Sequence, residues 1–440
     1  MIFIIYSFIN KGFFNNSHLL KEQNNNEKDD YMKQKLSPIS AKERIETLDV
    51  LRGFALLGII LANVVWFLYP AYMQEDLSFK NEWTSFWNQA DYTVHTIITM
   101  FVDGKFVMLF SMLFGFGMVI MQERAAAKQL NFWGIYFRRL IALFIFGCIH
   151  AYFIWFGDIL TDYAILGLLL LFLHKLKPNV MLIISVTLYS LYFGLFTLGA
   201  LSSDSTMMSM TMSEESRQLM QFTIDAHQNG SIQQLMNANF MERTYYTMRN
   251  GLYVLSLGNP ILYLFTNLPY LLMFLFGAAV AKKKWLHRFE EYRKGFFITW
   301  LLTFIFGGTL CWILPFFSEN LSAVQYISSP FLTIFYAISL IFIYHTVKGK
   351  KALQWLAFPG RMAFTNYIGQ SIICTLLFGP FAFGVYGKLH LTTAIIIVII
   401  IFIFQVIFSK LWLSKFRFGP LEYVWRSFTY LGIKKEIKNA

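Results

Sequence analysis

Two apolar stretches of the chain carry the same unusual pair. In "LDVLRGFALLGIILAN", residues 48–63, Arg52 is followed eleven positions later by Asn63, and in "RRLIALFIFGCIH" Arg139 is followed at the same spacing by His150. Eleven residues of α-helix advance about 16 Å and return to within about 20° of the starting direction. Each pair therefore lies along one helical stripe, with a permanent cation at one end and a hydrogen-bonding group toward the other. Guanidinium forks suit phosphate oxygens, and an imidazole suits proton transfer near neutral pH. Asp158 and Asp162, in the turn after His150, are placed to orient that imidazole or raise its basicity. His95 is a rival base. It precedes a segment broken by Asp103-Gly104-Lys105, whose two charged residues are counted among the substrate-facing groups.

A third polar stripe occurs in "GRMAFTNYIGQSIICTLLFG". Arg361 stands at its start, Asn366 and Gln370 share a face at i,i+4, and so do Tyr367 and Ser371. Every one of these residues also has a plainer reading. Arginines near a membrane surface snorkel to headgroups, and Asp49 is spaced to neutralise Arg52. A buried histidine can simply satisfy a hydrogen bond, a histidine at the boundary can face water, and a polar stripe can do no more than join helices.

The elements that must position these groups are hydrophobic helices. The 440 residues are 56% hydrophobic and 19% aromatic with only 14% charged, outside the range of ordinary soluble enzymes. Apolar runs long enough to cross about 30 Å of hydrocarbon recur at 50–69, 105–122, 138–156, 159–174, 179–200, 260–281, 295–316, 327–347, 362–384 and 391–413. The expected fold class is all-α, a polytopic integral membrane bundle of about ten transmembrane helices. The net charge of +12 points to topology rather than to nucleic acid. With both termini in the cytoplasm, alternation through ten spans places the large majority of the 37 Lys and Arg on inner stretches, the positive-inside asymmetry. Clusters such as Lys282, Lys283 and Lys284 then meet anionic membrane lipids.

The chain divides into a tail (1–43), spans one to five (44–200), an extracytoplasmic region (201–250), spans six to ten (251–414) and a basic, aromatic cytoplasmic segment (415–440). The tail reads either as a weak interfacial anchor or as the product of an upstream start codon, with Met32 the true beginning. An acidic outer loop at 70–93 holds Glu75, Asp76, Glu82 and Asp91, with Trp83 and Trp87 suited to the membrane boundary. The 201–250 region opens with a helix start at Ser213-Glu214-Glu215 and reads equally as a lid or as a connector. Cys148, Cys311 and Cys374 fall inside spans without metal-ligand spacing, so neither a disulfide nor a metal is expected. No phosphate loop, dinucleotide fingerprint or nucleophile elbow stands in a suitable context.

The segments "RIETLDVLRGFALLGIILAN", "DGKFVMLFSMLFGFG", "RRLIALFIFGCIHAYFIWFGDILTDYAILG", "GRMAFTNYIGQSIICTLLFG" and "FGPLEYVWRSFTY" together resemble the YeiB-like family of uncharacterised bacterial inner-membrane proteins, over about residues 44 to 432. The opening segment is also similar to a wider group of transmembrane acyltransferases, which move an acyl group from cytoplasmic acyl-CoA to a sugar across the membrane using an intramembrane histidine. In the sugar O-acetyltransferases of that group a basic residue is followed, after ten others, by a histidine; here Arg52 meets the pattern and Asn63 ends it. The resemblance therefore implies His150 or His95 as the base.

The expected activity is acyl transfer from acyl-CoA to an extracytoplasmic hydroxyl or amine, such as a cell-envelope glycan, in the bacterial plasma membrane. Acyl-CoA would be a co-substrate, and no tightly bound cofactor is implied. Arg52, Arg139 and Arg361 would hold the donor phosphates and His150 would act with Asp158 or Asp162. Asn63 or Asn366 would donate to the oxyanion, and Tyr367, Gln370, Asp103 and Lys105 would face substrate. The alternative is a transporter or flippase of a small or lipid-linked substrate, whose broken helices and buried polar groups would look the same.

Overall fold

The structure, a computed structural model, describes residues 45–70, 84–202, 214–249, 260–317 and 321–431. The tail, the start-codon question, Glu75, Asp76, Glu82, Trp83 and Ser213 lie outside the described residues. Ile45–Thr429 form one compact unit, whose regular elements are all helices among the described residues.

Each of the ten apolar runs is occupied by a helix. They are α1 (Glu46–Leu68), α3 (Lys105–Ala127), α4 (Phe132–Ile149), α5 (Leu160–Leu173), α6 (Pro178–Ser202), α9 (Pro260–Lys282), α10 (Phe289–Phe317), α11 (Leu321–Tyr344), α14 (Ala363–Phe378) and α15 (Leu391–Lys415). Among the described residues seven are long and apolar enough to cross a membrane, or eight if a bent pair counts as one span. In that pair Ser328–Tyr344 is followed, after a 117° bend, by Val347–Arg361, which contains α12 (Val347–Leu353) and α13 (Ala357–Arg361). The shortfall from ten has a geometric cause. Helices α5 and α14 have 14 and 16 residues, which at about 1.5 Å per residue reach only about 21 to 24 Å.

The periphery is apolar as lipid-facing helices must be: Phe172, Ile183, Leu195, Ile400 and Phe404 are all exposed. At the centre stands α1, whose Val50, Ala55, Leu56, Ile60, Val64 and Leu68 are completely buried. It is packed by α3, α13, α14 and α15. The run from 94 to 121 is broken as its Asp-Gly-Lys implies. Helix α2 (Gln89–Phe101) ends at Val102, Gly104 takes φ 75°, and α3 starts at Lys105. A left-handed φ at this step is available to glycine without Cβ strain. Asp91, buried in the capping box that starts α2, also accepts hydrogen bonds from Thr392 N and Oγ1 at 2.9 and 2.7 Å, tying α2 to the start of α15.

Two glycines let α3 and α9 touch backbone to backbone. A Cβ on Gly115 would stand 1.9 Å from the carbonyl oxygen of Phe274, and one on Gly277 would stand 1.9 Å from that of Met112. Small residues at crossings are how membrane helices gain van der Waals contact. Gly115→Ala or Gly277→Ala is expected to cost about 1–3 kcal/mol by overpacking. The check is a drop of several degrees in the melting temperature of the detergent-purified protein, with Gly308→Ala, where nothing lies within 4 Å of the added Cβ, leaving it unchanged.

Candidate active site

Helix α4 loosens at its end into a single π turn, His150–Ile154, closed by Trp155 N donating to His150 O. Such turns are rare and recur at functional sites. This one turns His150 into the protein, where it is 0% exposed. Its Nδ1 lies 3.0 Å from Asp158 Oδ1, an arrangement in which an ionised carboxylate accepts a hydrogen bond from Nδ1–H and leaves Nε2 as the basic atom. Nε2 is buried and has no hydrogen-bond partner among the described residues. The other oxygen of Asp158 accepts from Thr161 N at 2.8 Å and Thr161 Oγ1 at 2.7 Å, at the first turn of α5. The carboxylate is therefore fixed at a helix N-terminus, which favours its charge.

A guanidinium that the sequence does not single out completes the cluster. Arg243 comes from α8 (Ile232–Arg249), which follows α7 (Glu214–Asn229) in the described part of the 201–250 region. Its Nη1 donates to Phe156 O and Asp158 O at 3.3 and 3.0 Å, and its Nη2 donates to Thr161 Oγ1 at 2.8 Å and lies 3.9 Å from Asp162. Asp162 accepts from Tyr263 Oη at 3.2 Å. Asn239, one turn earlier on α8, donates to Ile154 O. Helix α8 is thus clamped over the turn that carries His150 and Asp158.

Helix α7 docks beside it through His227, whose ring stacks on Tyr386 with centroids 4.3 Å apart while Nδ1 meets Thr223 O. Burial pushes the His227 imidazole down to about 4. Its folded value lies below the ordinary 6.5 or so, so the stability it supports is complete above pH ~6.5 and declines as pH falls toward 4. At pH 5 the loss is about 2 kcal/mol. The expected result is a lower melting temperature at pH 5 than at pH 7, with the gap narrowed in His227→Phe.

A cavity of about 150 Å³ lies between α1, α3, α4, α5, α14 and α16 (Pro420–Thr429). Arg52 and Arg139 line one end with Trp425; Ile159, Tyr163 and Tyr367 line the other, next to Asp158. Arg52 Nη1 is 3.0 Å from Asp49 Oδ1. Arg139 lies 3.8 Å over the ring of Trp425, whose indole donates to Arg139 O. Glu422 on α16 accepts from the backbone N–H groups of Phe364 and Thr365, capping α14; burial pushes its carboxyl up, and these hydrogen bonds act against that rise. Tyr367 stands between cavity and histidine: its ring centroid is 5.2 Å from that of His150, and its hydroxyl meets Gly157 O at 3.5 Å.

The structure thus brings together Arg52, Arg139, Tyr367, His150, Asp158 and Asp162, and keeps other candidates apart. Asn63 and Arg361 are not on the cavity lining. Asn366 donates to Pro359 O and Ser409 Oγ, and Gln370 Nε2 donates to Leu56 O and Gln405 Oε1; these amides join α14 to α1, α13 and α15. His95 is half-buried against Trp87, ring to ring at 5.5 Å. Asp103 and Lys105 form the break before α3, with Lys105 Nζ on Thr99 O and Lys105 O accepting from Thr333 Oγ1.

Residues 280–432 match the family described as "Protein of unknown function (DUF418)". An uncharacterised protein of Bacillus subtilis (strain 168), YxaH, is 39% identical over 397 residues, covering 90% of this chain and 96% of its own length. The chain belongs to this YeiB-like, DUF418 family. YeiB of Escherichia coli (strain K12), also described as uncharacterised, is 29% identical over 408 residues, 88% of this chain and 96% of its own length. No solved structure matches the chain. The DUF418 match takes in α14 and α16, hence Tyr367 and Trp425, while His150, Asp158 and Arg243 belong to the part covered by the full-length relatives.

Proposed function

We propose that the protein is an acyltransferase of the bacterial plasma membrane that takes an acyl group from cytoplasmic acyl-CoA and gives it to a hydroxyl or amine on the far side, such as one on a cell-envelope glycan. The observation that carries this reading is the imidazole of His150. It is fully buried and held at Nδ1 by Asp158, it presents an unpartnered Nε2, and its ring lies 5.2 Å from that of Tyr367, which lines a cavity also lined by Arg52 and Arg139. A buried polar atom without a partner is rare in folded proteins and calls for an explanation. A general base awaiting a proton supplies one.

In the proposed reaction Arg52 and Arg139 hold the phosphates of the donor at the inner surface, and the thioester lies toward Tyr367. The acceptor O–H or N–H gives its proton to His150 Nε2 as its oxygen or nitrogen attacks the thioester carbon. The resulting imidazolium is stabilised by Asp158. The oxyanion takes a hydrogen bond from Tyr367, whose hydroxyl lies at the cavity end nearest His150 and meets Gly157 O at 3.5 Å. Collapse of the intermediate breaks the C–S bond, and the thiolate leaves with the proton from His150. Asn63 and Asn366 are not used: the first is off the lining and the second has its amide N–H groups engaged.

The test is donor binding. Acyl-CoA is expected to bind the purified protein, and Arg52→Ala together with Arg139→Gln to weaken it at least tenfold. Substrate-driven flux through proteoliposomes without CoA, unchanged in His150→Ala, would replace this reading with transport.

A further inference from the structure

The cavity between the arginines and Tyr367 has a chemistry of its own. Its long walls are Val107, Phe110, Leu113, Phe114, Met118 and Leu143, all apolar, and among the described residues no carboxylate lines it. At its basic end, beside Arg52 and Arg139, the hydroxyl of Tyr136 is buried and makes no hydrogen bond, although the residue is only 1% exposed. Leaving such a hydroxyl unsatisfied is destabilising, so its position calls for a partner. The phenol O–H and the two guanidiniums bring donors to the same end of the cavity, and although Arg52 also pairs with Asp49, the ligand group that meets them together is an anion. The apolar walls suit a hydrocarbon chain.

We infer that this cavity binds a single-chain anionic amphiphile of the alkanoate class, its charged head on Arg52, Arg139 and the Tyr136 hydroxyl and its chain along the α3–α4 walls toward Tyr163. A dry cavity of about this volume accommodates roughly six carbons, so a medium chain fills it and a longer one projects beyond it. The alkanoate occupies the guanidiniums that the proposed reaction needs for donor phosphates, so it competes with the donor. Only this competition rests on the acyl-transfer reading.

The experiment measures binding of radiolabelled acetate, butyrate, hexanoate and octanoate, with inorganic phosphate as a head-only probe, to the full chain in lipid nanodiscs, after subtraction of partition into empty discs. Affinity is expected to rise about fourfold per methylene up to roughly six carbons and then to flatten. Phosphate should bind at least tenfold more weakly than octanoate. Tyr136→Phe, which removes only the hydroxyl, should weaken octanoate about fivefold, and Leu113→Trp should remove the chain-length dependence. Equal affinity for acetate and octanoate, phosphate binding as tight as octanoate, or an unaltered Tyr136→Phe would overturn the inference. Octanoate binding with this profile in a protein that binds no acyl-CoA would leave the cavity assignment standing and remove the acyltransferase. Acyl-CoA binding by a protein whose alkanoate binding lacks this profile would do the reverse.

Discussion

Replacing His150 by glutamine is expected to lower acyl transfer by about 10²–10⁴ while donor binding stays within twofold. This is the range for loss of a positioned general base, and the separation of the two effects follows from the geometry. The imidazole touches Asp158 and Tyr367 and is absent from the cavity lining, so it contributes to the chemical step and not to the grip on the donor. Asp158→Asn should lose nearly as much. An amide can present its N–H to Nδ1, reversing the tautomer and placing the proton on Nε2, where a base is needed. Turnover with acyl-CoA and cell-envelope glycan acceptors, measured beside equilibrium donor binding, checks both variants. A parallel loss of binding in His150→Gln would show the histidine to be structural.

The second large effect is on stability. Arg243→Leu is expected to cost about 3–5 kcal/mol, because it leaves buried acidic groups without their counter-charge. Arg243 also satisfies the backbone oxygens of Phe156 and Asp158 and the hydroxyl of Thr161, so four partners on the turn after α4 and the start of α5 lose one neighbour together. The double variant with Asp162→Asn should recover part of the loss, since the uncompensated charge 3.9 Å away is then removed. Arg243→Lys should recover little, because a single ammonium cannot repeat the fork. Thermal unfolding of the four proteins in one detergent gives the comparison. An Arg243→Leu protein that melts within a degree of the parent would contradict the clamp.

Much of the bundle was legible because apolar runs of membrane length leave a helix as the way to satisfy the backbone. All ten runs became helices, and the Asp103-Gly104-Lys105 break stands where glycine and charges interrupt the pattern. What periodicity could not show was length against thickness. Helices α5 and α14 are short because the π turn and the residues around Asp158 occupy one approach, and α13, tightly packed on α1 at Gly360, occupies the other.

The site was legible in part, for a similar reason. Arg52, Arg139 and His150 stand out as costly ionisable groups in apolar sequence. Arg243 does not, because it lies in "MERTYYTMRN", a polar stretch where an arginine costs nothing until the fold buries it. Tyr136 was invisible among the 23 tyrosines of the chain. Asn366 and Gln370 were conspicuous for the opposite reason. A polar stripe signals a helix that avoids lipid, and theirs is met by Ser409 and Gln405 of α15.

The central claim is that the arginine end of the cavity and His150 belong to one passage. An acyl-CoA carrying a diazirine at the end of its acyl group, bound and irradiated, tests it most directly by peptide mass spectrometry. The expected adducts fall on Tyr367, Tyr163 or the 150–159 turn and disappear when Arg52 and Arg139 are both neutralised. Adducts on outward-facing residues such as Phe172, Ile183 or Phe404, unchanged by those substitutions, would contradict it.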